Sequence, residues 1–406
     1  MLSHAALLEN EDIARVTLKP VEYLNVIAND EENGGRSAAL IVSHEDILSL
    51  KRYERHSLNL PTSLTRVEEQ LGFTKSGIPG LEPKDMLATY TAINRHGKSW
   101  VRIEDLIKLS GVTIDLFATQ FSNQGQQLIH YIEKMDFARQ LDLTVADLII
   151  EDVREKSPAP LSKTDQRACV TLAEFLKTLA SQIAIHQQAA EQLARQIDTF
   201  STVLSVELIP GINDKVKLAQ RSDLDQQIKD LEKDIDQLTF DIEQKNKEYK
   251  AAVNKAVSGL IGGPIGLAIT GGIFGSQAEK IRKLKNKMIA EKGQKIKLLN
   301  EKRPLAAAVC SLQLIFEDMN IRMVDAHKSA TNLKDLWNIL AAYINTSVNE
   351  LAAIKDDQAL LIFAMQFQGV VTPWLEIKGL TTKLLKVFES ALDQFKRELQ
   401  SGSKGK

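Results

Sequence analysis

The side chains of this 406-residue protein that are suited to proton transfer or metal ligation are few and dispersed. His4, His44, His56, His96, His130, His186 and His327 include no i, i+4 pair of the kind that holds zinc on a helix face. Cys169 and Cys310 are too few for a disulfide framework or a multi-cysteine metal site. There is no phosphate-cradling loop, no nucleophile elbow, and no glycine fingerprint after a strand-like segment. No catalytic residue, metal ligand or cofactor is therefore expected, and the chain does not read as an enzyme. His186 falls at a heptad core position and reads as a packed histidine. Trp100, Trp337 and Trp374 read as core, and both cysteines as buried thiols on apolar helix faces.

A different chemistry lies between Lys255 and Glu279. Residues 256–278, AVSGLIGGPIGLAITGGIFGSQA, are 23 positions without a charge and hold seven of the 21 glycines. The run passes the ~20-residue length of a membrane-spanning helix. Pro264 after Gly262 and Gly263, and then the Gly271–Gly272 pair, would interrupt a straight one. Heptad-patterned helices flank the run on both sides, so the chain is expected to reverse and form an antiparallel coiled-coil hairpin with an apolar tip. Each arm of that tip, about eleven residues, reaches roughly 16 Å as helix, near half of a ~30 Å hydrocarbon core. Such a tip dips into a bilayer and does not cross it alone. Gly259/Gly263, Gly262/Gly266 and Gly271/Gly275 form small-xxx-small pairs that permit close helix contact in lipid.

Lysines border the run. Lys245, Lys247, Lys250 and Lys255 lead in, and Lys280, Arg282, Lys283, Lys285 and Lys287 lead out, opposed only by Glu248 and Glu279. A basic collar below an apolar tip suits anionic headgroups, at ~1 kcal/mol per well-placed cation. Farther from the tip, the acidic stretch 221–243 would face the basic stretch 292–303, which carries Lys292, Lys295, Lys297, Lys302 and Arg303.

Long helices must position such a tip. Aromatics make up only 5% of the chain, with 21 Gly and 10 Pro, and this composition predicts an all-α fold. The net charge of −2 gives no reason to expect nucleic acid as a partner. Breaks fall at 57–64, 73–85 and 155–165, with Ser162 or Thr164 as the next helix cap. One a/d seam runs Cys169, Leu172, Leu176, Leu179, Ile183, His186, Ala190, Leu193, Ile197, Phe200, Leu204, and IPGIND (209–214) is expected to end that helix. A second runs Leu224, Ile228, Leu231, Ile235, Leu238, Ile242, and after the apolar run come Ile281, Leu284, Met288, Ile296 and Leu299. The longest extends from Val309 to Ile354, and the last helices break near VVTPW (370–374). Helices of this length build a rod.

SLNLP (57–61), PGLEPKD (79–85), AITGGIFG (268–275), IRMVDA (321–326) and VVTPW (370–374) resemble, in the same order, the A component of xenorhabdolysin-type binary α-pore-forming toxins. The resemblance covers about residues 40 to 400. It implies a fold similar to cytolysin A: an elongated helical bundle with a long antiparallel coiled-coil hairpin ending in a hydrophobic head. On it, 41–221 and 304–406 form the bundle tail, 222–255 and 279–303 the neck, and 256–278 the head, after a weakly ordered segment 1–40. It implies that Leu260, Ile261, Ile265, Leu267, Ile269, Ile273 and Phe274 contact the membrane, and that Gly262, Gly263, Pro264, Gly271 and Gly272 shape the head turn. It also implies a soluble monomer that binds a target-cell membrane, pairs with a B-component subunit and joins a hetero-oligomeric ring. Two other readings stay open: a coiled-coil scaffold or tether whose apolar tip binds a partner protein, and a cytolysin needing no partner. The opening MLSHAALLENEDIARVTLKP carries no Sec-type signal, so secretion or release from a bacterium by another route is expected.

Overall fold

Ser43 starts the first described helix by closing a capping box with Asp46, and that helix, α1, spans His44–Asn59. The short α2, Leu64–Leu71, stops at Gly72, whose left-handed φ of 75° suits glycine. In this computed structural model, which describes residues 42–138, 144–220, 226–256 and 276–403, the regular structure is helical, with no strand among the described residues. The expected N-terminal segment 1–40 and Leu224 of the second seam lie outside them. The helix α3, Pro83–Glu133, begins with proline at its first position and runs for 51 residues. The six-residue α4, Ile150–Glu155, leads to Ser162, which caps α5, Lys163–Thr202, through a bond from Asp165 N.

At this point the structure corrects an expectation: IPGIND does not end the helix. A single π turn, Val203–Leu208, carries the chain directly into α6, Ile209–Gln220. Proline lacks an N–H and its ring crowds the preceding turn, and the widened π turn absorbs both defects at Pro210. Ile212, Val216 and Ala219 are buried, so packing rewards continuation. The remaining helices are α7, Gln226–Ala256; α8, Ser276–Lys302; α9, Pro304–Ala353; α10, Asp357–Val371; and α11, Trp374–Ser403.

These helices lie side by side as an elongated bundle around α9. Gln313 on α9 donates to Asn213, His327 pairs with Asp198, and Asn338 accepts from Gln187, so α9 runs antiparallel to the whole α5–α6 rod. The α9 seam is buried at every position expected from Val309 to Leu351. Helix α3 runs antiparallel to α5, with His96 bonded to the Phe200 carbonyl at one level and Phe117 beside the His186 ring at another. Helix α11 returns along α3 through Thr381–Asp115 and ends at α1, where Glu398 pairs with Arg52. At the far end Gln358 donates to the carbonyls of Val153, Arg154 and Lys156.

Two glycines set crossing points on α3. A Cβ at Gly97 would come within 2.4 Å of Ser57 Cβ on α1, and one at Gly125 within 2.5 Å of Val371 on α10. Trp100, Trp337 and Trp374 are buried core residues, as are the free thiols Cys169 and Cys310. Burial pushes the Cys169 thiol up to about 11 and the Cys310 thiol up to about 12, which leaves both unreactive near neutral pH.

Candidate functional site

The hairpin arms α7 and α8 form because their apolar residues recur at helical spacing and their charges match across the pair. Ile235, Ile242, Tyr249 and Val253 are buried apolar positions of α7, and Ala278, Ile281, Ile296 and Leu299 those of α8. Lys295 of α8 reaches Asp234 of α7 at 2.7 Å, and Arg303 just beyond α8 reaches Glu232 at 2.8 Å, as the charge pattern predicts. The distal ends of the two arms converge on one residue of α9: Tyr249 donates to Asp325 Oδ1 at 2.7 Å, and Arg282 pairs with Asp325 Oδ2 at 3.9 Å. The arms are therefore antiparallel. They are not a free-standing coiled coil, because α8 also runs back along α9 and touches α1, and its Gly293 lies over Leu314.

That second contact changes which face of α8 is buried. Leu284, expected in the seam, is exposed, and Lys285 and Lys292 are buried instead. Lys292 Nζ donates to both Glu317 oxygens at 2.8 Å, to Gln313 Oε1 at 2.9 Å and to Thr239 Oγ1 at 2.7 Å. Lys285 pairs with Asp318 at 3.0 Å. Arg282 is 4% exposed and donates to Asp46 Oδ1 at 2.7 Å, and the same oxygen accepts from Arg322 at 2.6 Å. Arg322 in turn forks onto Asp318 at 2.9 and 3.1 Å. The half-exposed Glu45 closes the cluster, 3.5 Å from Arg282 and 3.4 Å from Arg322.

Electrostatics follows from this geometry. Burial acts to raise the Asp318 carboxyl, but Lys285 and Arg322 outweigh it and hold the group below the usual carboxylate range. At Glu317 burial wins over the Lys292 ammonium and pushes the carboxyl up to about 7. Burial lowers Lys285 despite the adjacent Asp318.

The nine expected collar residues divide. Arg282 and Lys285 are inside the bundle, where the carboxylates of α1 and α9 hold them. Lys247, Lys250, Lys280, Lys283 and Lys287 are exposed, and Lys245 is half-buried beside Glu248. Lys255 lies on α7, and its side chain is outside the described residues. The expected membrane contacts Leu260, Ile261, Ile265, Leu267, Ile269, Ile273 and Phe274, and the turn residues Gly262, Gly263, Pro264, Gly271 and Gly272, also lie outside them. Sequence reasoning missed Asp46, Asp318, Asp325 and Arg322. The available signal was the charge carried by three of them on the α9 face next to the apolar seam. Among the described residues no cluster of His, Cys, Asp or Glu is arranged to hold a metal ion.

Comparison with solved structures places this architecture. YaxA from Yersinia enterocolitica is 30% identical, over 88% of this chain and 100% of that one, with a TM-score of 0.50. A chain of the XaxAB pore complex from Xenorhabdus nematophila is 29% identical over 88% and 100% of the two chains, with a TM-score of 0.45. The Bacillus cereus HblL1 toxin component shares the fold at 16% identity, covering 85% and 94%, with a TM-score of 0.51. No family model and no curated protein matches the chain.

Proposed function

The chain belongs to the A components of the xenorhabdolysin-type binary α-pore-forming toxins, and from that premise we propose that it is the membrane-engaging subunit of a two-component cytolysin. It is an all-α toxin component of the cytolysin A-like group. In the proposed reading its α7–α8 hairpin carries the uncharged run 256–278 to a target-cell membrane. A B-component subunit then joins it in an oligomeric pore. Residues 41–221 and 304–406 act as tail, 222–255 and 279–303 as neck. Leu260, Ile261, Ile265, Leu267, Ile269, Ile273 and Phe274 enter the apolar layer, and Gly262, Gly263, Pro264, Gly271 and Gly272 shape the turn. Lys245, Lys247, Lys250, Lys255, Lys280, Lys283 and Lys287 meet headgroups.

The observation that carries this reading is the pairing of α7 with α8: two antiparallel arms, rich in exposed lysine at their distal ends, flank 23 residues without a charge. An apolar run of that size on a scaffold protein would drive aggregation. The test is dye release from vesicles by this chain alone and with a B component. Release is expected only with the partner. Release by the chain alone would favour the partner-free cytolysin. Replacing Ile265, Leu267, Ile269 and Ile273 with Asp costs ~2.5–3.5 kcal/mol per charge at bilayer depth and is expected to abolish release. Full release by that variant overturns the assignment of the head.

A further inference from the structure

Where α8 faces α1 and α9, its buried side includes three cations. Arg282, Lys285 and Lys292 are all buried, and all belong to the hairpin. The carboxylates they meet, Asp46, Asp318, Asp325 and Glu317, all belong to α1 and α9. The contact is thus polarised, with hairpin cations on one side and bundle anions on the other.

We propose that the α7–α8 hairpin is latched, and that anionic lipid phosphates displace the bundle carboxylates from Arg282, Lys285 and Lys292 to release it. This inference rests on the membrane reading above and adds its trigger. A buried ion pair contributes little net stability beyond an apolar contact of the same volume, because desolvation offsets the Coulombic gain. Opening such a contact beside water or headgroups returns solvation to both faces, whereas opening an apolar contact exposes grease. The bundle side also has its own cation: Arg322 of α9 donates to Asp46 at 2.6 Å and forks onto Asp318 at 2.9 and 3.1 Å. Asp46 is further held by Ser43 N at 3.0 Å and Ser43 Oγ at 2.6 Å. The exposed Lys280, Lys283 and Lys287 sit on the same helix as the buried cations, each within two residues of Arg282 or Lys285. Lipid phosphate accepts the same charge-assisted hydrogen bonds as the carboxylates it replaces.

A cross-link tests the latch. A Cβ at Gly293 lies 3.4 Å from a Leu314 side-chain carbon, so Gly293→Cys with Leu314→Cys places two thiols across the α8–α9 contact, in a Cys169→Ala/Cys310→Ala background. Hydrogen exchange and flotation are then measured on phosphatidylglycerol and phosphatidylcholine vesicles. In the reduced protein, exchange across 276–302 is expected to rise on the order of tenfold on phosphatidylglycerol and not on phosphatidylcholine, with 163–202 still protected. The oxidised protein should show no rise, and dithiothreitol should restore it. Reduced protein that floats with phosphatidylglycerol while 276–302 stays protected overturns the latch and leaves the membrane reading standing. If neither form floats, the membrane reading fails, and Asp46→Asn in solution decides the latch by itself. That variant leaves Arg282 and Arg322 facing each other across a neutral amide. Selective loss of protection in 276–302 supports a separable hairpin, and unchanged or uniform exchange refutes it.

Discussion

The two halves of α9 are buried by opposite chemistry. Toward its C-terminus, Trp337 lies 5.1 Å from the Phe117 ring and 4.8 Å from His186, and Phe117 lies 5.6 Å from Trp374. Toward its N-terminus, Glu317, Asp318, Arg322 and Asp325 face the cations of α8 and the Asp46 of α1. Edge-to-face rings exclude water and lose both area and contact energy on separation. Ion pairs lose Coulombic energy but regain hydration, so their net hold is smaller and depends on what solvates them. One helix thus carries a fixed joint and a conditional one, and the hairpin is attached to the conditional one.

The largest effect is expected at the fixed joint. Trp337→Ala should cost about 3–5 kcal/mol in chemical denaturation, because the large void cannot collapse among three packed helices. At the conditional joint Lys292→Met alone should cost a similar amount, about 3–5 kcal/mol, by leaving Glu317 without its ammonium. Adding Glu317→Leu should recover most of that loss. A double variant as unstable as the single would show that the charged contact is a structural joint like the aromatic one. Gly125→Val should cost about 1–3 kcal/mol through collision with Val371, a penalty seen as earlier unfolding of the α3–α10 contact in hydrogen exchange.

The smallest effect is a slope with pH. The Glu317 carboxyl, at about 7 in the fold against an ordinary 4.5, keeps its proton in the folded protein after the unfolded chain has lost it. Its contribution is present in full below 4.5 and is lost as pH rises through about 7. His96 acts in the opposite direction. Burial, against the Phe200 carbonyl, lowers it to about 4, so its contribution is complete above 6.5 and is lost as pH falls toward 4. Melting temperatures of wild type and Glu317→Gln from pH 4.5 to 8 separate the two. The variant should lose the decline between 5 and 7 and keep the acid-side decline.

Much of the rod was legible in the residue order. Threes and fours from Cys169 to Leu204 and from Val309 to Leu351 mark buried faces that tertiary structure confirms, since a helix this long must hide its apolar stripe. The antiparallel pairing of α7 with α8 was legible as well, because acidic and basic stretches flank one uncharged run. The continuation through Pro210 was not: a proline signals a stop locally, and only the packing of Ile212 and Val216 makes a π turn worth its cost. Nor were the glycine crossings of α3, since Gly97 and Gly125 show their purpose only when Ser57 and Val371 arrive from other helices.

Residue types and spacing alone determined that the protein is helical, that α7 and α8 pair antiparallel, and that lysines gather beside the uncharged run between them. Those properties depend on neighbours within a turn or two along the chain. Which of the cations stay outside was decided by tertiary structure. Arg282 meets Asp46 from 236 positions away, and Lys285 meets Asp318 across the α8–α9 contact. A cation on a helix face is solvated by default, and it goes inside only where the fold brings a carboxylate close enough to offset its lost hydration.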